Sequence, residues 1–158
     1  MTFLSLLVPL PRSLATTAII SYMLSGDPVD LDAADRIPAR AGGDILVTPI
    51  VHASVQVEHG NVLLQIDPWR VGNYRNDKRA DLILVTDDVS HHLDPSAIAL
   101  LRGHGAPVVI PASGLHVIPD GIVMANGDVR ELAGVHVRAV PAYDLTAGTP
   151  AHPKGQAN

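Results

Sequence analysis

The residues best suited to chemistry in this chain lie in one loop, residues 86–94, which holds three aspartates and two adjacent histidines. Imidazole nitrogens and carboxylate oxygens are common ligands of zinc and related divalent cations. The loop continues an apolar run that begins at Leu82 and is typical of a strand buried on both faces. Ligands usually bind at the carboxyl end of such a strand, so the loop indicates a binding or metal site. A solvated, aspartate-rich entry into the next helix is the alternative interpretation.

The composition narrows the classes to which the protein can belong. Its 158 residues, 47% of them hydrophobic, are enough for one globular domain with a buried core. A net charge of −5, without a cluster of Lys or Arg, argues against binding to nucleic acid. Because the chain has no cysteine, any metal must be bound by His, Asp or Glu. The apolar runs near the N-terminus are shorter than the ~20 residues that span a membrane, so we expect no transmembrane segment.

Apolar runs and turn signals predict the elements that position the loop. Residues 53–58 alternate between apolar and polar, as in a half-buried strand, and residues 59–61 turn the chain back into a second strand at 62–66. Asp94 and the proline after it predict the start of a helix that ends near Gly103. Further strands are predicted at residues 108–110, 122–124 and 135–140. This order indicates a layered α/β or α+β domain.

The chain divides into three parts by composition. Residues 1–24 contain apolar runs interrupted by prolines and are predicted to be a signal-like or disordered leader. Residues 25–43, rich in Gly, Pro and Asp, are predicted to be a linker, and residues 44–158 form the folded part. No basic residue precedes the first apolar run, which favours a cytoplasmic protein over one exported through an atypical signal.

A series of short motifs resembles the metallo-β-lactamase superfamily, and within it the lactonase-like branch related to ascorbate-6-phosphate lactonases. The motifs, in chain order, are Gly42-Gly43-Asp44, residues 48–54, Ile66-Asp67-Pro68-Trp69, residues 80–86, residues 124–128, residues 140–146 and His152-Pro153-Lys154-Gly155. They cover residues 42–158. The resemblance implies the N-terminal half of an αββα sandwich, with a mixed sheet and few helices.

In that family, the loop after the buried strand carries the pattern His-x-His-x-Asp-His, which binds two metals. Aligned with it, Asp87 stands at the first His, Val89 at the second, His91 at the Asp and His92 at the last His. Only His92 keeps the family's residue, and Val89 has no lone pair to offer. His152 falls at the family's next ligand position.

The resemblance therefore implies Asp87, His91, His92 and His152 as candidate metal ligands. The resemblance also implies that three further side chains contact the substrate or the metal ligands: His52, Asp67 and Asp88. Neighbouring residues in an extended loop point to opposite sides, so we do not expect His91 and His92 to bind one ion together. The eroded pattern favours no resident metal over one weakly held divalent ion, such as zinc, manganese or iron, and no catalytic residue is assigned.

The resemblance implies hydrolysis of a lactone, ester or phosphoester of a small molecule by a metal-bound water. Because the metal pattern is eroded and the family's next strand and Gly-Asp motif do not follow Gly155, we expect this activity to be impaired or lost. One alternative is a non-catalytic remnant that acts as a binding module. Another is a half-domain completed by a second chain, and an exposed sheet would then favour self-association or a partner chain.

Overall fold

The computed structural model describes residues 34–74 and 78–143, which form a mixed seven-stranded sheet and a small two-stranded sheet. The strands of the large sheet are β1 (Asp35–Ile37), β2 (Ile45–Val51), β3 (Ser54–His59), β4 (Val62–Ile66), β5 (Leu82–Leu84), β6 (Val108–Ile110) and β7 (Ile122–Val123). Between β5 and β6 lies helix α1 (Pro95–Leu101), and a 3₁₀ helix (Ala112–His116) follows β6. Strands β8 (Val129–Leu132) and β9 (Val135–Arg138) form the small sheet. The predicted α/β class is confirmed.

The seven strands lie side by side in chain order, and the direction of pairing changes at β4. Strands β1 to β4 pair antiparallel, with Gln56 opposite Gln65, whereas β4 to β7 pair parallel, with Gln65 opposite Ile83. As a result, the carboxyl ends of β4 and β5 lie at the same edge as the turn between β2 and β3. Three separate segments of the chain therefore meet at one edge of the sheet.

The parallel half of the large sheet, β4 to β7, is covered by a different element on each face. On one face, Leu63, Ile83 and Val108 pack with Ile98 of α1 in a buried apolar cluster. Alternate residues of the same strands point to the other face, where Leu82 and Val109 pack against β8 and β9. The sheet thus forms the middle layer of the described part of the fold, and α1 holds the loop before it against the sheet.

Local chemistry explains where α1 begins and ends. The Asp94 carboxylate accepts hydrogen bonds from the N–H groups of Ser96 and Ala97 at 3.0 and 3.3 Å, and Pro95 occupies the first turn. The last helical residue is Leu101, and the Arg102 N–H still donates to Ile98 O. Both predicted ends of the helix agree with the structure.

Neither β1 nor β8 was predicted from the sequence. Strand β1 lies inside the predicted linker and pairs with β2, with Arg36 opposite Leu46. Strand β8 consists mostly of exposed residues, so it lacks the apolar alternation that indicates a strand. Three predicted strands are also shorter in the structure, since β5 ends at Leu84, β7 at Val123 and β9 at Arg138.

The predicted leader and His152 lie outside the described residues. Within residues 34–74 and 78–143, no helix has the length and apolar character needed to cross a membrane.

Candidate metal centre

The loop after β5 is coiled rather than extended. Val89 O accepts hydrogen bonds from the N–H groups of His92 and Leu93 at 2.9 and 2.8 Å, as in a single turn of helix. Asp87 Oδ1 accepts from the N–H of Asp88 at 2.7 Å. This turn brings the rings of His91 and His92 together, with their centroids 4.7 Å apart. The expectation that these two histidines point apart is wrong, because it assumed an extended backbone.

A third imidazole joins them from the turn between β2 and β3. The His52 ring centroid lies 4.6 Å from that of His91 and 5.9 Å from that of His92. Each of the three side chains offers one ring nitrogen, and these nitrogens lie within 4.8 Å of one another. Among the described residues, this is the group of three side chains placed to hold a metal ion. His52 is exposed and the other two are half-buried, so the group opens to solvent on one side.

Asp67, the residue directly after β4, ties the loop of residues 86–94, which we call the histidine loop, to the sheet. Its Oδ2 lies 2.8 Å from His92 Nδ1 and accepts from Thr86 Oγ1 at 2.7 Å, while its Oδ1 accepts from the Thr86 N–H at 2.7 Å. Its backbone is held as well, because its carbonyl accepts from Ser54 Oγ and its N–H donates to Leu84 O. Asp67 is only 2% exposed, so its carboxylate acts on these partners with little competition from water.

The contact with Asp67 decides which nitrogen of His92 is free. An ionised carboxylate only accepts hydrogen bonds, so His92 Nδ1 must donate to it. The neutral ring then carries its lone pair on Nε2. A carboxylate paired with the far nitrogen of a histidine is the usual support of a metal-binding imidazole, since it sets the orientation of the ring and raises its basicity.

Backbone strain is concentrated at this edge of the sheet. His52 and Asp67 have φ angles of 52° and 45°, in the left-handed region that side chains other than glycine rarely adopt. Ala133, in the turn between β8 and β9, is the third such residue in the described part of the chain. Such residues cluster at functional sites, where the surrounding structure holds them in place. Two of the three belong to the candidate centre.

Trp69 forms one wall of the centre. Its ring centroid lies 6.2 Å from that of His52 and 6.1 Å from that of His91, with edge-on geometry. The Trp69 N–H donates to the Tyr74 hydroxyl at 2.9 Å, and that hydroxyl donates to Trp69 O at 3.0 Å. Burial raises the pKa of the Tyr74 hydroxyl, which keeps the phenol protonated. The loop that carries Trp69 is therefore fixed by a neutral side chain.

The next residue connects this loop to α1. The Arg70 N–H donates to Asp94 Oδ2 at 3.0 Å, and Arg70 Nε lies 3.2 Å from the same oxygen. Asp94 is 2% exposed and also caps the helix, so one buried carboxylate ties the Trp69 loop, the histidine loop and α1 together.

The structure brings together some of the predicted site residues and separates others. His91 and His92 meet as candidate ligands, and His52 and Asp67 lie beside them. Asp87 bonds to the loop's own backbone and is not part of the group of donor atoms, while Asp88 is exposed. His52 was predicted to contact the substrate or the metal ligands, and in the structure it lies among the candidate ligands. Its position just before the start of β3, at the edge that also holds Asp67, is the signal in the sequence that places it near the loop.

The donor set of this centre suits a divalent metal. Imidazole is the ligand that zinc, copper and nickel share, and a catalytic zinc uses about three protein ligands while one position stays open. The half-buried position of His91 and His92 and the carboxylate behind His92 agree with this chemistry.

Comparison with known proteins agrees with the fold. The family model of the beta-lactamase superfamily domain matches residues 46–157. The chain belongs to the metallo-β-lactamase superfamily. The predicted superfamily is thus confirmed, and the branch within it stays a prediction. No curated protein resembles the chain closely enough to count as a match.

Two solved structures are similar to the chain. A protein from Parabacteroides distasonis, assigned as a metal-dependent hydrolase, is 29% identical, with a TM-score of 0.67 over 73% of this chain and 53% of its own. Igni18, a metallo hydrolase from the archaeon Ignicoccus hospitalis, is 21% identical, with a TM-score of 0.49 over 72% of this chain and 57% of its own. The chain therefore spans about half the length of these two solved structures.

Proposed function

We propose that this chain is a metal-dependent hydrolase of the superfamily, in which His52, His91 and His92 hold a divalent ion. The observation that carries the proposal is the convergence of three imidazoles at one sheet edge, with His92 oriented by the buried Asp67. When bound, such an ion supplies Lewis acidity toward a carbonyl or phosphoryl oxygen and toward water. Lactones, esters and phosphoesters are the substrate classes that this chemistry serves.

The chain's own residues have separable tasks in this proposal. Asp67 and Thr86 hold His92 in one orientation through hydrogen bonds of 2.7 to 2.8 Å. Trp69 limits the approach of water from its side of the imidazoles, and the exposed side chain of His52 leaves a path for a small substrate. The eroded family pattern does not by itself require loss of activity, because His52 adds a donor that the pattern lacks.

The test is hydrolysis by the full chain before and after treatment with a chelator. The substrates are a simple lactone, a p-nitrophenyl ester and bis(p-nitrophenyl) phosphate, each with added Zn²⁺, Mn²⁺ or Fe²⁺. We expect activity toward at least one substrate that returns with metal, is lost in His92→Gln and is kept in the control His136→Gln. His136 is exposed on β9 and pairs with Glu131, away from the cluster. No turnover with any metal would contradict the proposal.

A second candidate function is a half-domain that becomes complete with another chain. It is favoured because Val47, Val55 and Val57 are only half-buried on the face opposite α1. Light scattering after size exclusion tests it. A stable monomer that hydrolyses substrate would contradict this alternative and support the first.

A further inference from the structure

We infer that the cluster binds one divalent ion per chain, of the zinc, copper or nickel class, and that His52 is one of its ligands. His52 comes from the turn between β2 and β3, outside the loop that holds His91 and His92. The inference rests on the proposed function only in that a metal binds at this site. It adds the number of ions and their chemical class, and its test isolates the contribution of His52, which the loop pattern does not contain.

The class of ion follows from the donors. All three members of the group are imidazoles, and the nearest buried carboxylate, Asp67, is not among the donors. Its two oxygens already accept three hydrogen bonds, from Thr86 and His92. Imidazole nitrogen favours zinc, copper and nickel, whereas Mg²⁺, Ca²⁺ and Mn²⁺ favour oxygen ligands. We therefore expect the site to discriminate against the oxygen-seeking ions.

The number of ions follows from the loop. A second ion needs donors of its own, and Val89, 39% exposed in the middle of the loop, has none. Asp87 Oδ1 accepts from the N–H of Asp88 at 2.7 Å, so this oxygen supports the turn. Within residues 34–74 and 78–143, the three histidines form the group of donors close enough to hold an ion. One ion per chain is the capacity that this arrangement supports.

The position of His52 is determined by its backbone. Its φ angle of 52° lies in a region that glycine would occupy without strain, yet the chain has histidine there. The ring lies 4.6 Å from that of His91, measured between centroids. The strained backbone places the His52 imidazole next to the other two. Such strain is expected at this position if metal binding needs the third donor.

The experiment measures binding rather than activity. Metal-free full-length protein is titrated with Co²⁺, followed by its visible absorption, and with Zn²⁺, followed by calorimetry. We expect one equivalent of each ion per chain, no displacement of Co²⁺ by excess Mg²⁺ or Mn²⁺, and a loss of affinity of about tenfold or more in His52→Gly, His52→Ala, His91→Gln and His92→Gln. The matched control His136→Gln should bind like the natural protein. Circular dichroism confirms that each variant is folded.

Several outcomes would overturn the inference: two ions per chain, unchanged affinity in both folded His52 variants, equal binding of Mg²⁺, or no binding of any ion. The proposed function fails separately. If one ion binds through His52 but no lactone, ester or phosphoester is hydrolysed, the inference stands and the hydrolase proposal falls.

Discussion

Asp67 Oδ2 and His92 Nδ1 are joined by a hydrogen bond of 2.8 Å, although 25 residues separate them in the chain. The side chain of Asp67 is 3% exposed and that of His92 is 18% exposed. The bond therefore connects the end of β4 to the histidine loop inside the protein. Because Thr86 bonds to the same carboxylate, a change at Asp67 affects both the orientation of His92 and the attachment of the loop.

Asp67→Asn tests this role. An amide has one acceptor oxygen in place of two, so either Thr86 or His92 loses its partner in a buried position. We expect the free energy of unfolding to fall by about 1–3 kcal/mol and zinc affinity to fall about 10- to 100-fold. Urea unfolding and zinc competition measure the two effects. Asp88→Asn, at an exposed neighbour of the same loop, is the matched control, and equal effects of the two variants would contradict this role.

His52→Gly is expected to separate stability from metal binding. Glycine adopts a φ of 52° without strain, which should raise the free energy of unfolding by about 1–2 kcal/mol. The greater freedom of glycine in the unfolded chain should lower it by about 0.4–1 kcal/mol. The metal-free variant should therefore be as stable as the natural protein or more so in urea unfolding.

Ala133→Gly is the control for strain alone. Ala133 has a φ of 51° and lies in the turn between β8 and β9. It should change stability in the same direction as His52→Gly and leave zinc binding unchanged. Loss of stability in both variants would show that the positive φ angles carry no strain.

Asp94→Ala removes the carboxylate that caps α1 and holds Arg70. The N–H groups of Ser96, Ala97 and Arg70 all lose their acceptor. Loss of the cap costs about 0.5–2 kcal/mol, and an unpaired buried N–H adds about 1–3 kcal/mol. Urea unfolding measures the total.

Asp120→Ala is the comparison for Asp94→Ala. It breaks the ion pair with Arg102, which is expected to stabilise the fold only slightly because water screens the exposed Asp120 carboxylate. If Asp94→Ala lowers stability no more than Asp120→Ala does, the buried carboxylate is not the anchor of the helix.

Tyr74 makes the fold sensitive to alkaline pH. Burial raises its pKa above the ordinary value of 10.0, so the folded state favours the neutral phenol. The stabilisation is complete below the pKa of the unfolded chain and is lost as the pH rises through the higher pKa of the folded protein. Urea unfolding between pH 8 and about pH 11 should show stability falling above about pH 10.

The side chain of the variant Tyr74→Phe cannot ionise, so the free energy of unfolding of this variant should fall less steeply above pH 10. It should be less stable at pH 8, because the Trp69 N–H and carbonyl lose their partner. If stability falls as steeply above pH 10 in this variant as in the natural protein, Tyr74 does not cause the fall.

Features that depend on neighbours in the sequence were predictable. Asp94 and Pro95 predict the start of α1, and residues 59–61 predict the turn between β3 and β4, because caps and hairpin turns are determined over a few residues. The motifs along residues 42–158 indicated the superfamily that the family model confirms. Strand β1 was not predictable, since three residues with an exposed pattern become a strand only when β2 is present to pair with them.

The amino-acid sequence alone determined which residue types are available: imidazoles without cysteine, and a loop in which Val89 replaces a donor. The tertiary structure decided which of them meet. His52 reaches His91 because the antiparallel pairing of β2 with β3 and the parallel pairing of β4 with β5 place their ends at one edge. His91 and His92 face one site because the loop coils on Val89 O. Strand register and loop curvature are set by contacts between distant parts of the chain, so no local pattern reveals them.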